Sequence, residues 1–395
     1  QLPGISDQDF QYTMAELQAL AETANTFVKH IFSQKRNRIH PATFIGKGKL
    51  DEISRCLTDD AIDVVIFNDE LSPGQLRNLS DLLDVKVIDR TQLILDIFAA
   101  RARSKEGQLQ VELAQLKYLY PRLVGKGSAL SRLGGGIGTR GPGETQLDTD
   151  RRHMQNRIGQ LEKELQNVVR HRSLYKERRK RNDSFQVSLI GYTNAGKSTL
   201  FNRLTQSDSL AENHLFATLD PLTRKLPLFP QYDVLLTDTV GFIQKLPTQL
   251  IAAFRATLEE ISEADLSLHV IDGSHENFHQ HEKTVRELLI ELGADHIPEM
   301  TIYNKKDAAN EPLYSTAKDD SLVISAFDEN DIVKLKTLIK EHVKQQFIPY
   351  TVHVPLSNGK LLAQLSTKTI LTNKRWLVDE LAFSMSGYAP ESMAH

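Results

Sequence analysis

Residues 191–199 read GYTNAGKST, and the run ahead of them, SFQVSLIG at 184–191, is apolar and rich in β-forming residues. A Gly-x-x-x-x-Gly-Lys-Ser pattern that leaves a strand and opens an amphipathic helix (STLFNRL, 198–204) is a phosphate-binding loop in its required context. Gly191 and Gly196 let the backbone curl, so that the amides of Tyr192, Thr193, Asn194, Ala195 and Thr199 face an anion. Lys197 neutralises β- and γ-phosphate charge, and Ser198 offers a hydroxyl to Mg²⁺.

Downstream, strands and helices alternate to about residue 346, which predicts an α/β domain over 183–346. DVLLT delivers Asp238 at a strand's C-terminal end, where a Mg²⁺-positioning acid belongs, and the following Gly241 offers an amide to the γ-phosphate. MTIY then leads into NKKD, 304–307. Asp307 suits the paired N1–H and N2–H₂ donors of guanine, which adenine lacks; Asn304 reaches the ring's other edge and Lys305 packs across it. Ser325 and Ala326, in SAF at 325–327, complete the set, so the preferred ligands are GTP and GDP.

Outward from this domain, residues 1–103 alternate β-rich runs (ATFI, AIDVVIF, VKVI) with helix-like stretches and predict a parallel α/β domain headed by a helix at 14–25. The spacings of Leu109, Leu113, Leu116, Tyr120 and of Met154, Ile158, Leu161, Leu165, Val168 predict an α-helical hairpin over 104–182. Residues 347–395 read as a small α+β domain.

The net charge of −3 conceals an asymmetry, because residues 151–181 hold eleven Lys and Arg against three Glu. Such a surplus predicts salt-dependent binding to a polyanion. The loop between the hairpin arms carries eight glycines with Arg122, Lys126, Arg132 and Arg140, and no aromatic falls within 121–150. Backbone-and-shape recognition of folded RNA is therefore favoured over base stacking, with Arg132, Arg140, Arg151, Arg152, Arg178 and Arg179 as the contacts.

Other classes are poorly served. A single Cys56 excludes an internal disulfide and a Cys-rich zinc site, which fits a cytoplasmic protein. The most apolar run, LILDIFAA at 93–100, is short and carries Asp96, so no transmembrane segment is expected. His275, His279 and His281 lie close together, but His275 and His279, which share a helical face, have no Cys and no firm third ligand, so the group reads as a surface cluster. IGKGK at 45–49 lacks the phosphate-loop pattern, which counts against an ATP-driven remodeller with a second nucleotide site.

GYTNAGKST, FATLDPLTR (216–224), DTVGF (238–242), NKKD and above all GGGIGTRGPGETQLDTDRR (134–152) together resemble a translation-factor-type GTPase, specifically the HflX family. The resemblance implies that Thr218 is the switch threonine joining Mg²⁺ and the γ-phosphate, with Thr223 as the competing choice. It implies that Lys197, Thr218, Gly241 and Asn194 serve catalysis, with Asn194 at the position that in some relatives helps hold K⁺. Phe242 stands where many GTPases keep a water-orienting glutamine, a replacement shared by related GTPases. A slow intrinsic rate, stimulated by a partner, is then expected. The implied partner is the large ribosomal subunit and its rRNA, approached by a monomer that separates stalled ribosomes. The competing reading is a regulatory GTP switch whose target is a protein.

Overall fold

The computed structural model describes residues 1, 3–123, 146–181, 184–207, 215–216, 218–247, 250, 261–309, 321–378 and 380–393, with the side chains of 146–148, 169, 171–181 and 392 outside that description. The chain divides into two compact units, Gln1–Val168 with Lys245–Phe254, and Val169–Gln244 with Arg255–His395.

In the first unit, helix α1 (Asp7–Thr23) begins seven residues before the stretch read from sequence, because the Ser6 hydroxyl accepts from Asp9 N–H and starts it early. Helix α2 (Lys47–Asp59) leads to strand β1 (Val64–Phe67), α3 (Pro73–Leu83), β2 (Lys86–Asp89) and α4 (Arg90–Arg101). Ser72 and Gln75 form a capping box with Pro73 at the first helical position, which fixes where α3 starts. β1 and β2 pair in parallel, Val64 opposite Lys86.

The β-run expected at ATFI is absent. Residues 42–45 form a turn closed by a His40–Phe44 bridge, in which the His40 imidazole accepts from the amides of Ala42 and Thr43 that a ladder would have needed.

Helices α5 (Lys105–Leu119) and α6 (Gln146–Arg181) carry the expected hairpin seam. Leu109, Leu113 and Leu161 are buried together, packed by Leu116, Ile158, Leu165 and Val168. Tyr120 instead opens a 3₁₀ turn, Tyr120–Leu123.

The second unit is built on a six-stranded sheet in the order β4-β5-β3-β6-β7-β8, comprising β3 (Phe185–Gly191), β4 (Leu222–Leu226), β5 (Val234–Asp238), β6 (Leu266–Asp272), β7 (Glu299–Asn304) and β8 (Ser321–Val323). Only the edge strand β4 is antiparallel, and the sequence reading missed it because Thr223, Arg224 and Lys225 leave no apolar alternation.

Helices α7 (Lys197–Thr205), α8 (Phe278–Glu291) and α9 (Glu329–Gln345) accompany the sheet. Val187, Leu189, Leu236, Leu268, Val270 and Ile302 are buried across the central strands, as parallel strands covered on both faces require. Because β3 lies between β5 and β6, the loops after β3 and β5 rise side by side at the carboxyl edge, where open α/β sheets bind ligands. This is the P-loop GTPase fold that the motifs predicted.

The C-terminal part is an antiparallel sheet of β9 (Ile348–Pro355), β10 (Ile370–Leu377) and β11 (Ala382–Ala389), in the order β10-β11-β9, with helix α10 (Gly359–Lys368). No helix among the described residues is long and apolar enough to cross a membrane.

Candidate nucleotide-binding site

A cavity of about 520 Å³ opens at that carboxyl edge, lined among others by Asn194, Lys197, Ser198, Thr218, Gly241, Asn304, Lys305, Asp307 and Ala326. Residues from five separate stretches of sequence meet there.

At one end, Lys197 is buried, and its ammonium donates to the carbonyls of Gly191 (3.0 Å) and Tyr192 (2.8 Å). Burial lowers its pKa to about 8, while Asp238 opposes the shift. Three oxygens converge next to it: Asp238 Oδ2 accepts from Ser198 Oγ and from Thr218 Oγ1, each at 2.8 Å, and the two hydroxyls lie 2.8 Å apart. Burial pushes the Asp238 carboxyl upward in pKa against the pull of Lys197. Asp238 Oδ1, also buried, has no hydrogen-bond partner among the described residues.

A hard dication takes oxygen ligands, and a buried carboxylate with an orphaned oxygen beside two hydroxyls is a donor set that fits Mg²⁺. Thr218 therefore sits with the predicted ligands. Thr223 does not: it faces Thr237 across the β4–β5 ladder at 3.0 Å.

The loop geometry follows from its glycines and from Asn194. Gly196 adopts φ +91°, and a Cβ there would come within 2.3 Å of Asn304 Nδ2. Gly241 packs so tightly that a Cβ would meet Thr193 Cα at 2.7 Å and Lys197 Nζ at 3.1 Å. Asn194 takes φ 59°, a left-handed conformation that asparagine tolerates, and is exposed at the cavity.

At the other end, Asp307 is exposed toward solvent and forms no hydrogen bond or ion pair to another described residue. Lys305 pairs with Asp272 at 2.7 Å. Asn304 was expected at the far edge of the base, but both ends of its buried amide are committed to the protein. Nδ2 donates to Ala195 O and Oδ1 accepts from Ala326 N, each at 3.0 Å, so it braces the phosphate loop to the SAF loop. The Ser325 amide donates to Asp331 and its hydroxyl accepts from Phe327 N.

Four lining residues, Phe216, Thr239, Ala308 and Phe327, were not named from the sequence. Phe216 is buried at φ 56°, its amide donating to Thr193 Oγ1 at 3.0 Å, and Phe327 is 74% exposed at the cavity mouth. FATLD and SAF contain them, but neither motif's chemistry requires an aromatic there.

The Tyr192 side chain does not line the cavity. Its ring stacks on His281, with centroids 4.0 Å apart. His281 is thus buried, not part of a surface cluster; among the described residues no group of three potential ligands could hold a metal there.

Of the predicted RNA contacts, Arg132 and Arg140 lie outside the described residues, as do the side chains of Arg178 and Arg179. Arg152 is exposed, and the Arg151 guanidinium lies 5.7 Å from the Tyr120 ring. Arg157 is occupied within the hairpin by a bidentate pair with Glu112 (2.7 and 2.9 Å). Arg122, expected with the glycine-rich loop at an RNA surface, is instead nearly buried, donating to Tyr118 O, Leu71 O and Glu70, with its guanidinium 3.5 Å above the Tyr118 ring. An arginine with that many internal partners stitches the N-terminal fold instead of facing an RNA.

Three family models match in succession: a GTP-binding GTPase N-terminal region over residues 11–99, a GTP-binding GTPase middle region over 101–179, and a 50S ribosome-binding GTPase over 186–305. A solved GTP-binding protein from the hyperthermophilic archaeon Sulfolobus solfataricus, in complex with GDP, is 27% identical over 85% of this chain and 96% of that one, with a TM-score of 0.46. The GTPase HflX of Caldanaerobacter subterraneus is 53% identical over 80% of this chain and 75% of its own length. With the GTPase HflX of Alkalihalophilus pseudofirmus the identity is 51% over 98% of this chain and 91% of the relative. Likeness at that level along nearly the whole of both chains means that this chain belongs to the HflX family of GTPases and binds GTP.

Proposed function

We propose that this chain is a GTP-hydrolysing factor of the large ribosomal subunit, whose GTP-bound form grips rRNA through the helical hairpin and splits or rescues stalled ribosomes. The observation that carries the reading is the convergence of Lys197, Ser198, Thr218, Asp238 and Gly241 at one end of a cavity with Asp307 at the other. It is supported by the match of residues 186–305 to a family described as a 50S ribosome-binding GTPase.

In this reading the amides of residues 191–199 and the Lys197 ammonium hold the phosphates, the Gly241 amide meets the γ-phosphate, and Asp307 accepts from guanine. Ser198, Thr218 and Asp238 would hold Mg²⁺, which when bound neutralises charge on the β- and γ-oxygens. Asn194, exposed at the cavity, would contribute to a K⁺ site. Phe242 is buried and so contributes no water-orienting group; the intrinsic rate is slow and a partner accelerates it by ordering Thr218 and Gly241.

The chain works as a cytoplasmic monomer in four parts: 1–103, the hairpin 104–182, the nucleotide domain 183–346 and the C-terminal domain 347–395. Arg132, Arg140, Arg151, Arg152, Arg178 and Arg179 meet rRNA phosphates.

Cosedimentation with large ribosomal subunits, in a GTP analogue and in GDP at two salt concentrations, tests this. Pelleting favoured by the analogue and weakened by salt is expected. Pelleting indifferent to nucleotide would favour a regulatory switch acting on a protein.

A further inference from the structure

Tyr192 occupies a place in the nucleotide domain that its neighbours in the phosphate loop do not. It is buried, 4% exposed, and its backbone carbonyl accepts from the Lys197 ammonium at 2.8 Å. Its phenol oxygen, on the opposite side of the residue, accepts from the amide of Gln244 at 2.9 Å. One residue thus touches the phosphate-binding lysine through its backbone and the chain beyond Gly241 through its side chain.

The ring cannot drift, because the imidazole of His281 lies flat against it, with planes within 8° of each other. His281 is 5% exposed on α8, and His275 packs against it at 4.6 Å. Burial, then His275, lowers the His281 pKa to about 4 against an opposing pull from Asp272, so the stacked imidazole is neutral at neutral pH.

Among the described residues, three hydrogen bonds hold the segment after Gly241. Thr193 N–H donates to Phe242 O at 2.7 Å and Phe242 N–H to Gly191 O at 3.1 Å. Both are backbone bonds, centred on Phe242, that any sequence could make. The third, from Gln244 to the tyrosine, depends on a side chain and lies two residues further on. Two points of attachment set a direction, whereas one alone leaves a pivot.

We infer that Tyr192 is a positioning residue for GTP hydrolysis: acting through Gln244 and Phe242 it holds the Gly241 amide in place, with His281 as the rigid floor that fixes the tyrosine. This rests on the reading that the Gly241 amide meets the γ-phosphate. A preorganised donor costs no reorganisation when charge develops, so its loss falls on turnover more than on ground-state binding.

The test is Tyr192→Phe in the full chain, which keeps the ring and removes only the hydroxyl. Steady-state and single-turnover GTP hydrolysis are followed beside equilibrium GDP binding. The loss of one such hydrogen bond is expected to lower kcat by about 3- to 10-fold, with KM and the GDP Kd within about twofold of wild type. His281→Phe, which retains a flat ring, should hydrolyse at the wild-type rate, and His281→Leu should fall as Tyr192→Phe does. An unchanged kcat in Tyr192→Phe, or a GDP affinity that drops by the same factor as kcat, overturns the inference. Wild-type protein that takes up no guanine nucleotide overturns the parent reading, and the inference with it.

Discussion

The backbone amide of Thr193 donates to the carbonyl of Phe242 at 2.7 Å, and Tyr192 and Phe242 form an isolated parallel bridge, so the phosphate loop and the segment after Asp238 are laced together. The Phe242 side chain is 1% exposed. It acts as a bolt in the core and has no route to the cavity. Phe242→Ala should therefore destabilise the protein by about 3–5 kcal/mol, and Phe242→Leu by under about 1.5 kcal/mol, in urea unfolding. Phe242→Gln should lower stability without raising GTP turnover; a faster enzyme would show that the side chain can reach the nucleotide.

The lysine gives a pH signature. With its folded pKa lowered to about 8 by burial, Lys197 is charged in the free protein below that value and loses its proton above it. The unfolded chain keeps the proton up to about 10.4, so between about 8 and 10.4 the unfolded state binds more protons and Lys197's destabilising contribution is relieved as pH rises. Nucleotide binding has the opposite dependence. Phosphate restores the ammonium, so GDP affinity should be flat between about pH 7 and 8 and fall above that by up to about tenfold per pH unit, with proton uptake visible by calorimetry in buffers of different ionisation enthalpy. Affinity that rises through that range would contradict the assignment.

Base reading is open to a swap. Asp307→Asn should weaken GTP binding and strengthen that of xanthosine triphosphate, whose added carbonyl suits an amide donor. The complementary change is structural: Asn304→Ala strips partners from Ala195 O and Ala326 N and should cost about 1–3 kcal/mol in unfolding free energy, besides weakening all purine nucleotides. Equal losses of guanine and xanthine binding in Asp307→Asn would remove that residue from base recognition.

On the proposed reading the hairpin carries rRNA-facing arginines beside structural ones. Replacing Arg151, Arg152, Arg178 or Arg179 by Ala should lower the salt slope of large-subunit binding by about one for each rRNA phosphate left without its arginine. Arg157→Ala should leave the slope unchanged, since that guanidinium is held by Glu112. A uniform response of all five would make the arm a diffuse polycation.

Much of this was legible in the sequence because the nucleotide chemistry demands particular residue types at strand ends. The strand before Gly191, the Asp238 position and the Leu109–Leu161 seam all follow from local pattern. What escaped depends on partners far away in the chain. Asn304 serves Ala195, Arg122 serves Glu70 and Leu71, and Tyr192 serves Gln244 from its place against His281. Strand β4 was missed because Thr223, Arg224 and Lys225 leave this edge strand no apolar alternation to read. The ATFI turn was misread because a single imidazole outcompeted β-propensity for two amides.

The most direct test is a calorimetric titration of the intact protein with GDP and, separately, ADP in the presence of Mg²⁺. The account predicts one guanine-specific site per chain, weakened by Asp238→Ala and by Lys197→Ala. Absence of GDP uptake by the folded wild-type protein, or equal uptake of ADP, would contradict it.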